Sequence, residues 1–148
     1  MVKMEGLLEG CAYEAIQYRR AIGAEHIAIL ADIYDRTGEP LARMPLAEEA
    51  RQATLLGRAD GLILTGKSQE ESYAMLDEVR AGDYGVPLLL GGGVSAETAS
   101  RALQHADGVI ISTALKAAGK WSPQSLLTDW SAERAGAFME AVKVKTSG

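Results

Sequence analysis

Three glycines in a row, Gly91-Gly92-Gly93, follow the apolar run Val86–Leu90, and Ser95 stands just beyond them with Glu97 and Thr98 behind it. That order reads as a strand running into a helix: Ser is a favoured N-cap, and an acid in the first turn suits the helix dipole. The chain then turns at Asp107-Gly108, runs through Val109–Ile111 and reaches Ser112-Thr113, with Lys116 shortly after. Two successive strand ends, one of glycines and one of hydroxyls, suit anion binding. N–H groups at a helix start point toward the anion, and glycine lets it come close. Gly92, Gly93, Ser112 and Thr113 are the candidate phosphate-binding residues, for a small phosphorylated ligand. Lys116 is either a further contact or a solvated lysine.

Two earlier strand ends carry polar groups. Asp32 ends the run Ile27–Ala31, where a carboxylate can bind metal, act as a base or accept from a hydroxyl; the alternative is that it caps its loop. The following stretch, Ile33–Pro45, reads as a long loop, and Arg36 in it is a candidate ligand contact. Thr65-Gly66-Lys67-Ser68 closes the run Leu62–Thr65 and opens a helix over Gln69–Arg80. Gly61 through Ser68 matches G-x-x-x-x-G-K-[ST] letter for letter, which raises nucleotide hydrolysis through Gly66-Lys67-Ser68. A phosphate loop must, however, follow a strand, and here the middle residues are themselves the apolar run. The milder reading leaves Thr65 and Gly66 as ligand contacts and Lys67 as electrostatic help, with Asp32 and Lys67 the catalytic candidates.

Other chemistries find little support. His26 and His105 each precede a strand, the end away from the ligand face of a parallel α/β protein. No His, Cys or carboxylate cluster has metal-ligand spacing, and no residue pattern names a cofactor. Cys11 falls inside the first helix as a small packed residue, and a lone cysteine forms no internal disulfide. The net charge of −5 and the lack of a basic stripe argue against nucleic acid. No apolar run is long enough for a membrane span, and the start MVKMEGLLEG has no apolar signal region. The cytoplasm is the expected location.

Positioning these residues takes a regular alternation. A helix is expected over Glu5–Ala21, then strand Ile27–Ala31, helix Leu46–Leu56, strand Leu62–Thr65, helix Gln69–Arg80, strand Val86–Leu90, a helix after Ser95, strand Val109–Ile111, a loop over Trp121–Thr128 and a helix over Ser131–Val144. Ala59-Asp60-Gly61-Leu62-Ile63-Leu64 recurs as Ala106-Asp107-Gly108-Val109-Ile110-Ile111, a repeated strand start. Apolar strands alternating with amphipathic helices mean a parallel sheet with right-handed crossovers. The 148 residues suffice for one domain. Four βα units are half of a (βα)8 TIM-type barrel, with an open doubly wound sheet as the alternative.

The run Ala106–Gly119, the turn Thr65-Gly66, Gly91-Gly92-Gly93-Val94 and the ending Glu133-Arg134 with Phe138-Met139 resemble the BtpA/SgcQ family. So does the opening, Glu9-Gly10 through Arg19-Arg20, Gly23-Ala24 and Ala31-Asp32. The resemblance covers nearly all of this chain and about the C-terminal half of the family's length. It implies a TIM-type barrel grouped with the ribulose-phosphate-binding barrels, with one branch tied to photosystem I biogenesis. An enzyme and a non-enzymatic assembly factor therefore both stand as expectations. Departures are local. Ser112-Thr113 stand where the family has Gly-Ser, Ser122-Pro123-Gln124-Ser125 where it has Asn-Pro-Val-Asp, and Arg36 with Thr37 where more basic residues are expected. Half a barrel leaves edges unpaired. The expected chain is thus a fragment, a homo-oligomer of half-barrels, or the partner of a complementary N-terminal half.

Overall fold

The computed structural model describes residues 1–3, 6–119 and 122–143. They form two compact units, Met1–Leu89 and Leu90–Gly148.

The first unit begins with a feature the sequence does not announce. β1 (Val2–Lys3) and β2 (Gly6–Leu7) pair antiparallel, and Val2 exchanges backbone hydrogen bonds with Glu39. The helix expected from Glu5 starts later, as α1 (Ala12–Ala21); Glu5 itself lies outside the described residues. Cys11 precedes α1 and is exposed, not packed inside it. No residue of α1 is buried.

β3 (Leu30–Asp35) lies three residues later than the apolar run Ile27–Ala31 suggested. The reason is tertiary. Asp60 fixes Ile29 ahead of the strand: its backbone N–H donates to the Ile29 carbonyl and its carboxylate accepts from the Ile29 amide, both at 2.8 Å. The ladder therefore opens at Leu30. β4 (Gly61–Thr65) pairs with β3 in parallel, with Leu30 opposite Gly61 and Asp32 opposite Ile63. A bulge between Asp32 and Tyr34 shifts the register so that Tyr34 meets Leu64. α2 (Leu46–Leu55) and α3 (Gln69–Arg80) complete the layer. Leu62 and Leu64 are fully buried, as are Ala50 on α2 and Leu76 and Val79 on α3. Side chains alternate across a strand, so this is one face of β4. Burying each Leu contributes on the order of 2 kcal/mol. Ile63, on the other face, is only half-buried, and Leu30 is exposed.

β5 (Leu88–Leu90) follows α3, with the Leu62 amide donating to Pro87 at its head. It is shorter than the expected Val86–Leu90.

In the second unit, α4 (Ala96–His105) starts after Ser95 as expected, with the Ser95 amide donating to Thr98 Oγ1 at 3.0 Å. β6 is Gly108–Val109, one residue earlier and shorter than expected. Short 3-10 turns occupy Thr113–Leu115 and Gln124–Leu127. α5 (Ala132–Lys143) is capped by Ser131, whose hydroxyl accepts from the Arg134 amide at 3.2 Å; Val144 and Trp121 lie outside the described residues. α4 packs on α5 around Ala99, Ala102 and Phe138, all buried. The sheet order is β3-β4-β5-β6, the order of the sequence. An α/β fold with a parallel sheet of the barrel type is what the sequence patterning called for.

Candidate functional site

The glycine loop belongs to the second unit. Gly92 and Gly93 have φ of +127° and +73°, backbone that only glycine adopts without strain, and a Cβ on either would meet nothing within 4 Å. The loop therefore opens to space. Immediately before it, the Leu90 carbonyl accepts from the Ile110 amide at 2.9 Å. That bond sets the end of β5 beside the end of β6, so Gly91–Gly93 and Ser112-Thr113 leave the sheet at neighbouring points. Ser112 is exposed and Thr113 half-buried, and the Ser112 carbonyl accepts from Leu115 to start the 3-10 turn. The four candidate phosphate-binding residues thus fall at one end of two adjacent strands.

Lys116 is not directed to that loop. Its ammonium donates to the Thr128 carbonyl at 3.1 Å and sits 4.8 Å from the centre of the Trp130 ring. The segment around it pairs with Asp129–Ser131 through Ala117 and Ser131 amides. Both partners lie more than ten residues on, so local spacing could not show this. Ser122 and Ser125 close their own loop. Each amide donates to the other's hydroxyl at 3.0 Å, and Ser125 is buried.

A cleft of about 440 Å³ is lined by Ser95, Glu97, Ala114, Gly119, Arg134 and Phe138 among others. Arg134 is a cation that the sequence showed only within the family resemblance. It helps hold the Glu97 carboxyl below its usual range, after the larger effect of the Ser95 hydroxyl. The Gly119 backbone leaves room for that guanidinium: a Cβ there would stand 2.6 Å from it.

In the first unit, Asp32 does not end its strand. It lies inside β3, exposed, beside Ile63 on the face opposite Leu62 and Leu64. Arg36 is exposed in the turn after β3, and Thr65 ends β4 buried. The groups a phosphate loop would use are bound internally. The Gly66 amide donates to Ser72 Oγ at 2.9 Å, the Lys67 amide donates to the Glu71 carboxylate, and Ser68 Oγ accepts from the Glu71 amide as the cap of α3. Lys67 Nζ is 3.6 Å from Glu39. The middle of the motif is strand β4, paired with β3. This geometry does not build a phosphate loop. Among the described residues no group of His, Cys, Asp or Glu is placed to hold a metal ion, and no helix is long and apolar enough to cross a membrane.

A parallel sheet in sequence order, with helices after its strands and a glycine loop at the strand ends, defines a segment of the β/α-barrel class. The comparisons agree. N-(5'-phosphoribosyl)anthranilate isomerase from Pyrococcus furiosus superposes with a TM-score of 0.52 over 89% of this chain and 57% of its own, at 16% identity. That likeness concerns the fold. The sequence profile of the BtpA family matches residues 1–144, and the chain belongs to that family. The photosystem I biogenesis protein BtpA of Synechocystis is 31% identical over 80% of this chain and 42% of its own length. An uncharacterised mitochondrial protein of Caenorhabditis elegans is 31% identical over 93% of this chain and 48% of its own. An uncharacterised Pyrococcus furiosus protein is 34% identical, with 78% and 44% covered. The chain spans about half the length of these relatives.

Proposed function

We propose that this chain carries the phosphate-binding end of a BtpA-family barrel and holds a small phosphorylated metabolite at Gly92, Gly93, Ser112 and Thr113. The observation that carries the reading is the left-handed Gly92-Gly93 pair, open to space and set beside the end of β6 by the Ile110–Leu90 hydrogen bond. Amides approach an anion most closely where no side chain stands in the way, and the following helix α4 offers its positive end. The phosphoribosyl group in the name of the isomerase of like fold is in keeping with such a ligand.

Inorganic phosphate and ribose 5-phosphate should each raise the melting temperature in a saturable way. Gly93→Asp, which adds a side chain and a charge to the loop, should abolish both shifts. Absence of any shift at millimolar ligand overturns the reading.

A second observation favours an assembly role and a protein partner. β3 pairs with β4 alone among the described strands, and α1, which precedes it, buries no residue while exposing Tyr13 and Tyr18, with Ile22 exposed just past its end. In a right-handed crossover a helix covers the groove between its own two strands. The bare helix and the unpaired edge therefore ask for the same object, one further parallel strand ahead of β3. We propose that a complementary N-terminal half-barrel supplies it. Co-expression with the N-terminal half of the Synechocystis relative should yield a stable one-to-one complex by light scattering. A homodimer that excludes that half would replace this partner with a second copy, and a cooperative monomer that binds neither would overturn it.

A further inference from the structure

The first unit contains a cleft of its own. Its volume is about 280 Å³, and Ile33, Tyr34, Met44, Leu46, Met75 and Glu49 are among its walls. The β3 bulge brings Ile33 and Tyr34 to it together, and α2 and α3 supply Glu49 and Met75. We propose that this cleft binds a small organic cation with an apolar tail, an alkylammonium or alkylguanidinium, with Glu49 as its counter-charge.

Charge accounting around the cleft singles out Glu49. Arg43, on the rim, is held by Glu39 at 2.9 Å, and Lys67 also turns to Glu39. Glu71 accepts from the Lys67 amide. Glu49 is half-buried, and its carboxylate has no hydrogen-bond or ion-pair partner among the described residues; burial alone acts on it, raising its pKa. A carboxylate withdrawn from water without a donor is costly, and a cation that reaches it removes that cost. Glu78, exposed on the same cleft, adds negative charge at its mouth.

The lining decides what sort of cation. Hard metal ions take six or more oxygens, and the wall around Glu49 is mostly carbon and sulfur. Met44 and Met75 are soft and adjustable, suited to an alkyl chain. The volume lies near the lower limit for small-molecule sites, so the ligand is compact.

Three probes of six carbons each separate charge from greasiness: n-hexylammonium, 1-hexanol and hexanoate, each titrated by calorimetry and thermal shift. Hexylammonium should bind at least ~10-fold more tightly than hexanol, about 1.4 kcal/mol, and hexanoate should bind worst. Glu49→Gln should bring hexylammonium down to the level of hexanol. Met44→Lys, at a position already 43% exposed, should abolish binding without threatening the fold. Glu14→Gln, on the exposed α1, should leave all three unchanged. Equal affinity for hexylammonium and hexanol, or a hexylammonium affinity that survives both Glu49→Gln and Met44→Lys, overturns the proposal.

Discussion

Arg19 Nη1 lies 2.8 Å from Asp60 Oδ2, and the same nitrogen donates to the Ile27 carbonyl at 2.9 Å. Helix α1 has no buried residue of its own. This contact is what ties it to the start of β4. Asp60 thus serves both as the strand start of the repeated Ala-Asp-Gly block and as an anchor.

Arg19→Ala should lower the melting temperature by a few degrees and speed amide exchange across α1 before any other helix. Asp60 also sets a pH dependence. The Ile29 amide first, and then Arg19, holds its carboxyl below the ordinary value of 3.8. A group depressed in the fold stabilises fully above its unfolded value and loses that contribution as pH falls through the folded one. Glu48 acts in the same direction, held down to about 2 by hydrogen bonds from Arg51 and Gln52. Acid titration of stability should therefore decline below about pH 4, and Asp60→Asn should flatten part of the curve. A pH-independent melting temperature between pH 5 and 2 would contradict this.

Ser72 should matter more than its surface count suggests. It is 4% exposed, accepts from the Gly66 amide and donates to the Ser68 carbonyl at 2.8 Å. Ser72→Ala leaves the Gly66 N–H without its partner, which should cost about 1–3 kcal/mol in denaturant unfolding. Ser68→Ala, which removes only the cap to Glu71, should cost ~1 kcal/mol.

Glu49 works with the opposite sign to Asp60. Burial raises its carboxyl pKa, so the fold prefers it protonated, and stability falls as pH rises from the unfolded value through the folded one. Glu49→Gln should therefore raise the melting temperature at pH 7 and leave it nearly unchanged at pH 3. A loss of stability at pH 7 would show that the carboxylate has a favourable partner.

ATP and GTP should produce no thermal shift through Gly66-Lys67-Ser68, and Lys67→Ala should leave phosphate binding at the glycine loop intact. Gly66→Ala is the harsher change. A Cβ there would stand 2.8 Å from the Ser72 backbone nitrogen, so the start of α3 must shift. A Lys67-dependent nucleotide shift would reinstate the phosphate-loop reading.

What could be read in advance depended on how far away the deciding partner lies. α3 begins after Ser68 as expected, and α4 after Ser95, because a cap and its amides are within three residues. The Gly92-Gly93 run marks a place where left-handed backbone costs little, and the structure adopts it there. Ile27–Ala31 looks like a strand locally, yet β3 opens only at Leu30, because Asp60, far along the chain, binds Ile29 ahead of it. The lysines show the same effect. Glu39 claims Lys67, and Thr128 with Trp130 claims Lys116; no local pattern carries those choices. The short β1–β2 pair is bound to Glu39, again beyond the reach of periodicity.

The sheet order of β3-β4-β5-β6 has a consequence for how this chain is made. Synthesis delivers the strands in that same order, so each new strand emerges next to the one it will pair with. No strand waits for a later one to be inserted between it and its neighbour. Contacts of short sequence separation are the kind that form quickly. Unpaired edges are the usual seeds of aggregation, and in this order each new strand covers the edge left by the one before it.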